Sequence, residues 1–353
     1  MKKFFLLAAM VGVALTGCMK NEAYVPKCET PISFEVANYV AQTRTNGAFS
    51  TTETFGVNAW SHDAATSVTA QMMTNEVVSH DGSKWTTGTP YYWPINGTVD
   101  FIAYYPTSVP PTISYNYEGG DTYKYTDYTV GTVDLMYADK AIRFSANKAD
   151  DANGTDFGIG AYGFDGVPTL FHHALAKVNF VVKNFEPVHG HTSYEIVVDE
   201  IKLNTYDTGS VTLTNTGTTP ATRGIWSVTD NVWEPDTAGG TVELTWADAT
   251  NLTTDAEHAY APRTQYVLPQ TLTDDVTVSV TYTVTQKSDG NFVSKKTTTA
   301  DPIKLNEMGL ARWEMNKNIT YTITISVANN QILFAPAVED WVDVDGNTAI
   351  EHH

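Results

Sequence analysis

Val276-Thr277-Val278-Ser279-Val280-Thr281-Tyr282-Thr283-Val284 sets an apolar or aromatic side chain at every second position and a Ser or Thr hydroxyl in every gap. Successive side chains of a strand point to opposite faces, so this is the pattern of a strand with one buried and one solvated face. The same alternation recurs near both ends of the chain. Ile32, Phe34 and Val36 alternate with Ser33, Glu35 and Ala37, and Tyr321, Ile323, Ile325 and Val327 alternate with Thr322, Thr324 and Ser326. Each reads as a half-buried antiparallel strand. No segment sustains an i, i+3, i+4, i+7 pattern past three turns, and Gly, Pro and Asn punctuate the chain throughout. Many short strands between turns predict an all-β protein built of antiparallel β-sandwiches.

The 353 residues suffice for two such domains. The best boundary is the Gly/Asp/Asn-rich stretch Asn147 to Gly166, between strand-like Leu135–Phe144 and strand-like Val167–Val182. The expected division is therefore 1–18, 19–165 and 166–353.

Residues 1–18 are a targeting segment. Met1-Lys2-Lys3 is a positive n-region, and Phe4 to Gly17 is uncharged, apolar or small. At about 14 residues it is too short to cross a bilayer core of ~30 Å as a permanent helix. Leu15-Thr16-Gly17-Cys18 matches the lipobox of bacterial lipoproteins, which makes Cys18 the lipidated (palmitate-bearing) residue. The rest of the chain is then anchored to the outer membrane by lipid and lies outside the cytoplasm. Only Cys18 and Cys28 exist, so lipidation of one leaves no intrachain disulfide, and stability must come from burial.

The chain carries 21 Lys+Arg against 40 Asp+Glu, a net charge of −19; losing Lys2 and Lys3 with the signal leaves 19 against 40, or −21. Such a balance repels nucleic acid, which is excluded as a partner.

Enzyme chemistry finds no support. Gly158-Ile159-Gly160-Ala161-Tyr162-Gly163 fits GxGxxG, but Pro168 and Gly166 follow where a phosphate-binding helix would have to start. Adjacent His172 and His173 point to opposite faces of a strand, so the expectation is one buried and one exposed histidine rather than a metal pair. His189 and His191 lack a third ligand at convincing spacing. Asp343-Val344-Asp345-Gly346-Asn347 misplaces the glycine of a calcium loop, and Asp150, Asp151, Asn153 and Asp156 read as a solvated acidic loop. No HExxH or GxSxG occurs. No catalytic residue, metal or cofactor is assigned.

The informative constellation is Ile32–Val36 followed by Arg44, the only arginine before Arg143, in the polar stretch Gln42 to Gly47. A cut at Arg44–Thr45 by a trypsin-like or arginine-specific protease would free the body from the lipid. It would also detach the first strand, exposing a sheet edge that can template another chain's strand. At the other end, Val338, Trp341, Val342 and Val344 lie in an amphipathic segment with Asp343 and Asp345 on its opposite face. It is a candidate donor strand. The same residues also fit an ordinary loop arginine and an ordinary edge strand.

Several stretches resemble the fimbrillin family of Bacteroidetes, the Mfa-like and FimA-like group. They are Trp85…Tyr91-Tyr92-Trp93-Pro94…Val99-Asp100-Phe101-Ile102-Ala103-Tyr104-Tyr105-Pro106, Asp134-Leu135-Met136-Tyr137-Ala138, and Phe171-His172-His173-Ala174-Leu175-Ala176-Lys177-Val178. Tyr266-Val267-Leu268-Pro269-Gln270 and Trp313…Asn318-Ile319-Thr320-Tyr321 continue the order, which spans the chain from about Ile32 onward. The resemblance implies a type V pilin: two transthyretin-like β-sandwiches in tandem, exported as a lipoprotein, matured by arginine-specific proteolysis and assembled by strand exchange. By position it implies lipidation at Cys18, cleavage at Arg44–Thr45 and donation from Val338–Val344. The expected partners are other pilin subunits, the maturation protease, the outer membrane through the lipid and a surface receptor; the expected location is the outer membrane, then the surface fimbrium. Physically, Trp85, Tyr92, Trp93, Phe101 and Tyr105 read as core aromatics. The alternative function is a glycan-binding surface lipoprotein that does not polymerise. It would use Tyr115, Tyr117, Tyr123, Tyr125 and Tyr128 as exposed stacking platforms.

Overall fold

A computed structural model describes residues 30–36, 49–63, 66–146, 157–158, 165–184, 190–215, 224–229, 232–247, 251–252, 257–260, 266–327 and 331–340. The protein is all-β; the described residues form four sheets and one 3-10 turn, at Leu305–Glu307.

The main sheet has eleven strands. Its central path runs Lys140–Ser145, Thr98–Tyr105, Thr54–Asp63, Val68–His80, Trp85–Thr87, Phe34–Val36, Val167–Thr169. Both faces of its middle are covered, so Thr98–Tyr105 is buried almost end to end instead of alternating. Phe55, Val57, Phe101 and Ala103 enter one core, while Trp60 and Ile102 enter a second, between this sheet and a five-stranded neighbour. Gly56 is required here: a Cβ on it would sit 2.2 Å from Cζ of Tyr104 on the adjoining strand. The neighbouring sheet pairs Thr112–Ser114 with Thr122–Thr129, and Thr122–Thr129 with Thr208–Asn215.

The remaining two sheets face each other over a third core. One is built on Ala176–Asn184, Lys317–Ser326 and Gln331–Asp340, the other on Thr192–Thr205, Val242–Trp246, Thr277–Ser288 and Asn291–Thr299. Here the alternation is clean: Ala176–Asn184 is buried at every second residue, and Val276, Val278 and Val280 are inward. Trp313 donates its indole N–H to the Tyr321 hydroxyl at 3.0 Å, so neither large side chain leaves a polar atom stranded.

Three expectations need correction. The strands are not all antiparallel: Phe34–Val36 runs parallel to Val167–Thr169, and Ala176–Asn184 parallel to Lys317–Ser326. Alternation reports which face is buried and is silent on strand direction. Tyr92 is not core but 46 % exposed, because it lies in a loop joined only by an isolated bridge to Pro31. And four strand pairings cross residue 165: Phe34–Val36 with Val167–Thr169, Met136–Ala138 with Phe171–His173, Lys140–Ser145 with Ile225–Trp226, and Thr122–Thr129 with Thr208–Asn215. The chain enters the third core at Ala176, stays in it to Tyr206, returns to the first two cores between there and residue 235, and re-enters the third with Val242–Trp246.

Gln270 locks the point where the chain changes sheets. The two N–H groups of its buried amide are shared among three acceptors, the Thr205 hydroxyl at 2.9 Å, the Tyr206 carbonyl at 3.1 Å and the Leu268 carbonyl at 3.0 Å. This gives a physical role to the Tyr266–Gln270 stretch, which position alone had marked.

Candidate functional site

Phe34–Val36 is an interior strand held from both sides. Phe34 pairs with Trp85 on one flank and Val167 on the other. The Ile32 N–H donates to the Tyr91 carbonyl at 2.7 Å, and the Val167 N–H donates to the Ser33 carbonyl at 2.8 Å. Phe34 is 3 % exposed and meets the Phe55 and Phe101 rings edge-on at 5.9 and 5.6 Å. Ile32 is buried beside it in the same core. Gly166 permits the close approach of Val167–Thr169: a Cβ there would lie 2.8 Å from the Phe34 carbonyl carbon and 2.9 Å from the Ser33 oxygen.

Taking this strand away would leave two facing rows of unpaired backbone groups, on Trp85–Thr87 and Val167–Thr169. Between them would lie an apolar slot floored by Phe55 and Phe101. Emptying a Phe site of this kind costs about 3–5 kcal/mol, so a refilling strand is strongly favoured. The chain beyond the strand is anchored independently. Phe49 stacks on Phe171 at 5.0 Å and meets Tyr105 at 5.3 Å and Phe55 at 5.9 Å. Sequence reasoning passed over Phe49, whose only signal is a lone aromatic in a polar stretch.

At the other end, Gln331–Asp340 pairs antiparallel with Lys317–Ser326 over its whole length, Ile319 opposite Val338. Ile332 and Phe334 pack on the third core, while Leu333 points outward at 57 % exposure. Among the described residues no strand pairs the outer edge, and Pro336 lies within it, a residue that edge strands tolerate. Val338, the first residue of the expected donor, is therefore already seated in its own chain. Cys18, Arg44, Thr45, Trp341, Val342 and Val344 lie outside the described residues.

The tyrosine-rich stretch faces inward, which overturns the case for a surface stacking platform. Tyr123 and Tyr125 are buried in the second core. Tyr115 stacks on Trp60 at 4.4 Å, and Tyr117 stacks on His62 at 3.9 Å with the Arg143 guanidinium 4.6 Å from its ring. Burial raises the Tyr115, Tyr123 and Tyr125 hydroxyls well above the usual phenol range and lifts Tyr128 to about 12. The histidines split by face: His173 is buried against Asp134, and half-buried His172 lies 3.0 Å from Asp139.

A family model described as fimbrillin-like matches residues 43–341. The chain belongs to the fimbrillin-like family. Its members are structural, surface-located proteins that contact other pilin subunits. Among solved structures, a fimbrial protein from Bacteroides vulgatus is similar at TM-score 0.51 and 18 % identity, covering 88 % of this chain and 99 % of that one. That likeness is one of fold. A candidate cell adhesion protein from Bacteroides uniformis follows at TM-score 0.43 and 19 % identity, covering 88 % and 98 %. No curated protein matches this fimbrillin-like chain.

Proposed function

We propose that this chain is a fimbrial subunit that polymerises by strand exchange, with Ile32–Val36 as the removable occupant of the acceptor slot. Export as a lipoprotein through Cys18 delivers the precursor to the outer membrane. An arginine-specific protease then cuts at Arg44–Thr45, separating the lipid and the first strand from the body, which Phe49 keeps anchored. The slot is refilled by a C-terminal segment of another copy. Within the expected donor, Val338 must first leave its pairing with Ile319, whereas Trp341, Val342 and Val344 follow the end of that strand. The donor is therefore read from Trp341 onward.

The observation that carries this reading is the interior position of Phe34–Val36. A strand flanked on both sides leaves a slot when removed, whereas loss of an ordinary edge strand leaves only an edge. The test is digestion of the lipid-bearing precursor with an arginine-specific protease, followed by unheated gel electrophoresis. Cleavage after Arg44 followed by a concentration-dependent ladder is expected. Arg44→Ala should leave a monomer. A ladder formed with Arg44 uncut, or a cut chain that stays monomeric at high concentration, would rule the mechanism out.

A further inference from the structure

The least expected group in the molecule is Lys140, a lysine with 0 % exposure in a chain that is heavily acidic. Its ammonium nitrogen touches two carboxylates, Oδ2 of Asp121 at 2.9 Å and Oδ2 of Asp100 at 3.0 Å, and donates to the Asn116 carbonyl at 3.0 Å. Both carboxylates are themselves buried. Aromatic faces close the site: the nitrogen lies 4.4 Å from the Tyr115 ring centre and 5.2 Å from that of Trp226.

The two aspartates are held differently. Asp121 accepts the Asn116 N–H on Oδ1 at 2.7 Å, while its Oδ2 takes Lys140 and the Asn215 amide. Asp100 accepts the Arg143 N–H on Oδ1 at 2.7 Å and the Tyr115 hydroxyl on Oδ2 at 3.0 Å. Asp100 reaches inward at a bulge, where the pairing with Lys140–Ser145 skips from Val99–Phe144 to Phe101–Ala141 and Arg143 adopts φ +55°. Non-glycine residues take up such a conformation at a cost, so the surroundings enforce it.

We propose that Lys140 and Asp121 become joined by an intramolecular isopeptide bond, with Asp100 as the proton carrier. The Lys140 ammonium passes one proton to the Asp121 carboxylate, giving an amine against a carboxylic acid. The Nζ lone pair forms a bond to Cγ of Asp121, and the Asn116 N–H on Oδ1 steadies the oxygen that gathers charge. Asp100 takes a second proton from the nitrogen and delivers it to the Oδ2 hydroxyl. The Cγ–Oδ2 bond breaks, one water leaves, and Asp100 is again a carboxylate. One ammonium and one carboxylate become one amide and one water, so atoms and charge balance without any co-reactant.

Two physical arguments favour the bond over a plain ion cluster. Burying an ion pair carries a desolvation penalty that a neutral amide does not. Two reacting groups fixed in contact in a closed site also react as though at very high concentration. The bond would tie a main-sheet strand to the start of Thr122–Thr129 in the neighbouring sheet, closing a loop between residues 19 apart in sequence. Such a staple restricts the unfolded chain much as a disulfide does.

The test is a peptide map of the mature, folded protein, unfolded only before tryptic digestion. Trp85–Lys124 and Tyr125–Arg143 should appear as one branched species that yields two N-terminal sequences, from Trp85 and from Tyr125, lighter than the two peptides together by one water and uncut after Lys140. Asp121→Asn should yield the identical branched product by loss of ammonia. Asp100→Ala, which keeps both bonding partners, should slow its formation at least tenfold. Recovery of Trp85–Lys124 and Tyr125–Lys140 as separate peptides from wild-type protein that unfolds cooperatively would overturn the proposal, and that measurement depends on no variant folding. Crosslinking of Asp100→Ala at the wild-type rate would remove Asp100 from the mechanism.

Discussion

Gly166 and the buried tyrosines are the residues at which the architecture is most sensitive. Gly166 lets two parallel strands approach more closely than a Cβ allows, and the atoms it would strike are backbone atoms of Ser33 and Phe34, which cannot rotate away. Gly166→Ala should therefore loosen the first strand by about 1–3 kcal/mol while sparing the third core. Hydrogen exchange checks this: Ile32 and Val167 amides should lose protection, and the Val278 amide should keep it. Equal loss at all three would make the effect global. The tyrosines set a ceiling on alkaline stability. Burial and Glu53 push Tyr105 to about 12, and burial alone pushes Tyr321 to about 12 against the opposing Trp313 bond. Since unfolded tyrosine ionises near ~10, folding favours the neutral phenol, and this contribution is complete below ~10. It is lost as pH rises through about 12, the folded value. Denaturant midpoints should hold up to pH ~10 and then fall as tyrosinate absorbance rises cooperatively. An absorbance rise centred near ~10 that accounts for every tyrosine of the folded protein, and not only for exposed ones such as Tyr92, would contradict the burial of these rings.

Strands were legible one at a time; their partners were not. The alternation of Val276–Val284 and Tyr321–Val327 marked the inward faces correctly because each sheet of the third core has one covered face. Thr54–Asp63 and Thr98–Tyr105 show no such alternation, since a second sheet covers their outer face and both parities are buried. The tyrosine stretch misled for the same reason: Tyr123 and Tyr125 resemble exposed aromatics until the main sheet, with Trp60 and Ile102, covers their face and Thr208–Asn215, over eighty residues away, pairs alongside them. The last strand shows the opposite limit. Its amphipathic pattern from Val338 was visible, but its intramolecular start at Gln331 was not, because Pro336 interrupts the run. This strand separates folding from assembly. Removing residues 341–353 should leave the thermal transition within a few degrees of the parent and abolish ladders. Removing residues 331–353 should cost several kcal/mol, since Ile332 and Phe334 leave the core. Ladders that survive the shorter deletion would move the donor away from the C-terminus.

The whole chain is woven rather than divided at residue 165. The composition shift between Asn147 and Gly166 is real, but a loop-rich stretch marks a domain boundary only if few contacts cross it, and four strand pairings do. The first two cores borrow Val167, Phe171, Leu175, Val211, Leu213 and Trp226 from beyond that point. A chain ending at Asp165 would lack the partner of the first strand and one wall of the second core. It should fail to unfold cooperatively. The third core borrows nothing upstream of Ala176, and its strands come from 176–205 and 242–340. Joining residues 176–206, which keep the core residue Tyr206, to 242–340 through a short Gly/Ser turn, with 207–241 omitted, should therefore give a soluble β-protein with a cooperative transition. Val178, Phe180, Val280 and Ile323 should be protected in it as they are in the full chain. The two pieces together decide the point. If 19–165 folds alone and the rejoined 176–340 piece does not, the boundary lies where composition first suggested. The opposite result means that the strand pairings define the folding units, and that the excursion 207–241 ties the part holding Phe34–Val36 to the part holding Gln331–Asp340.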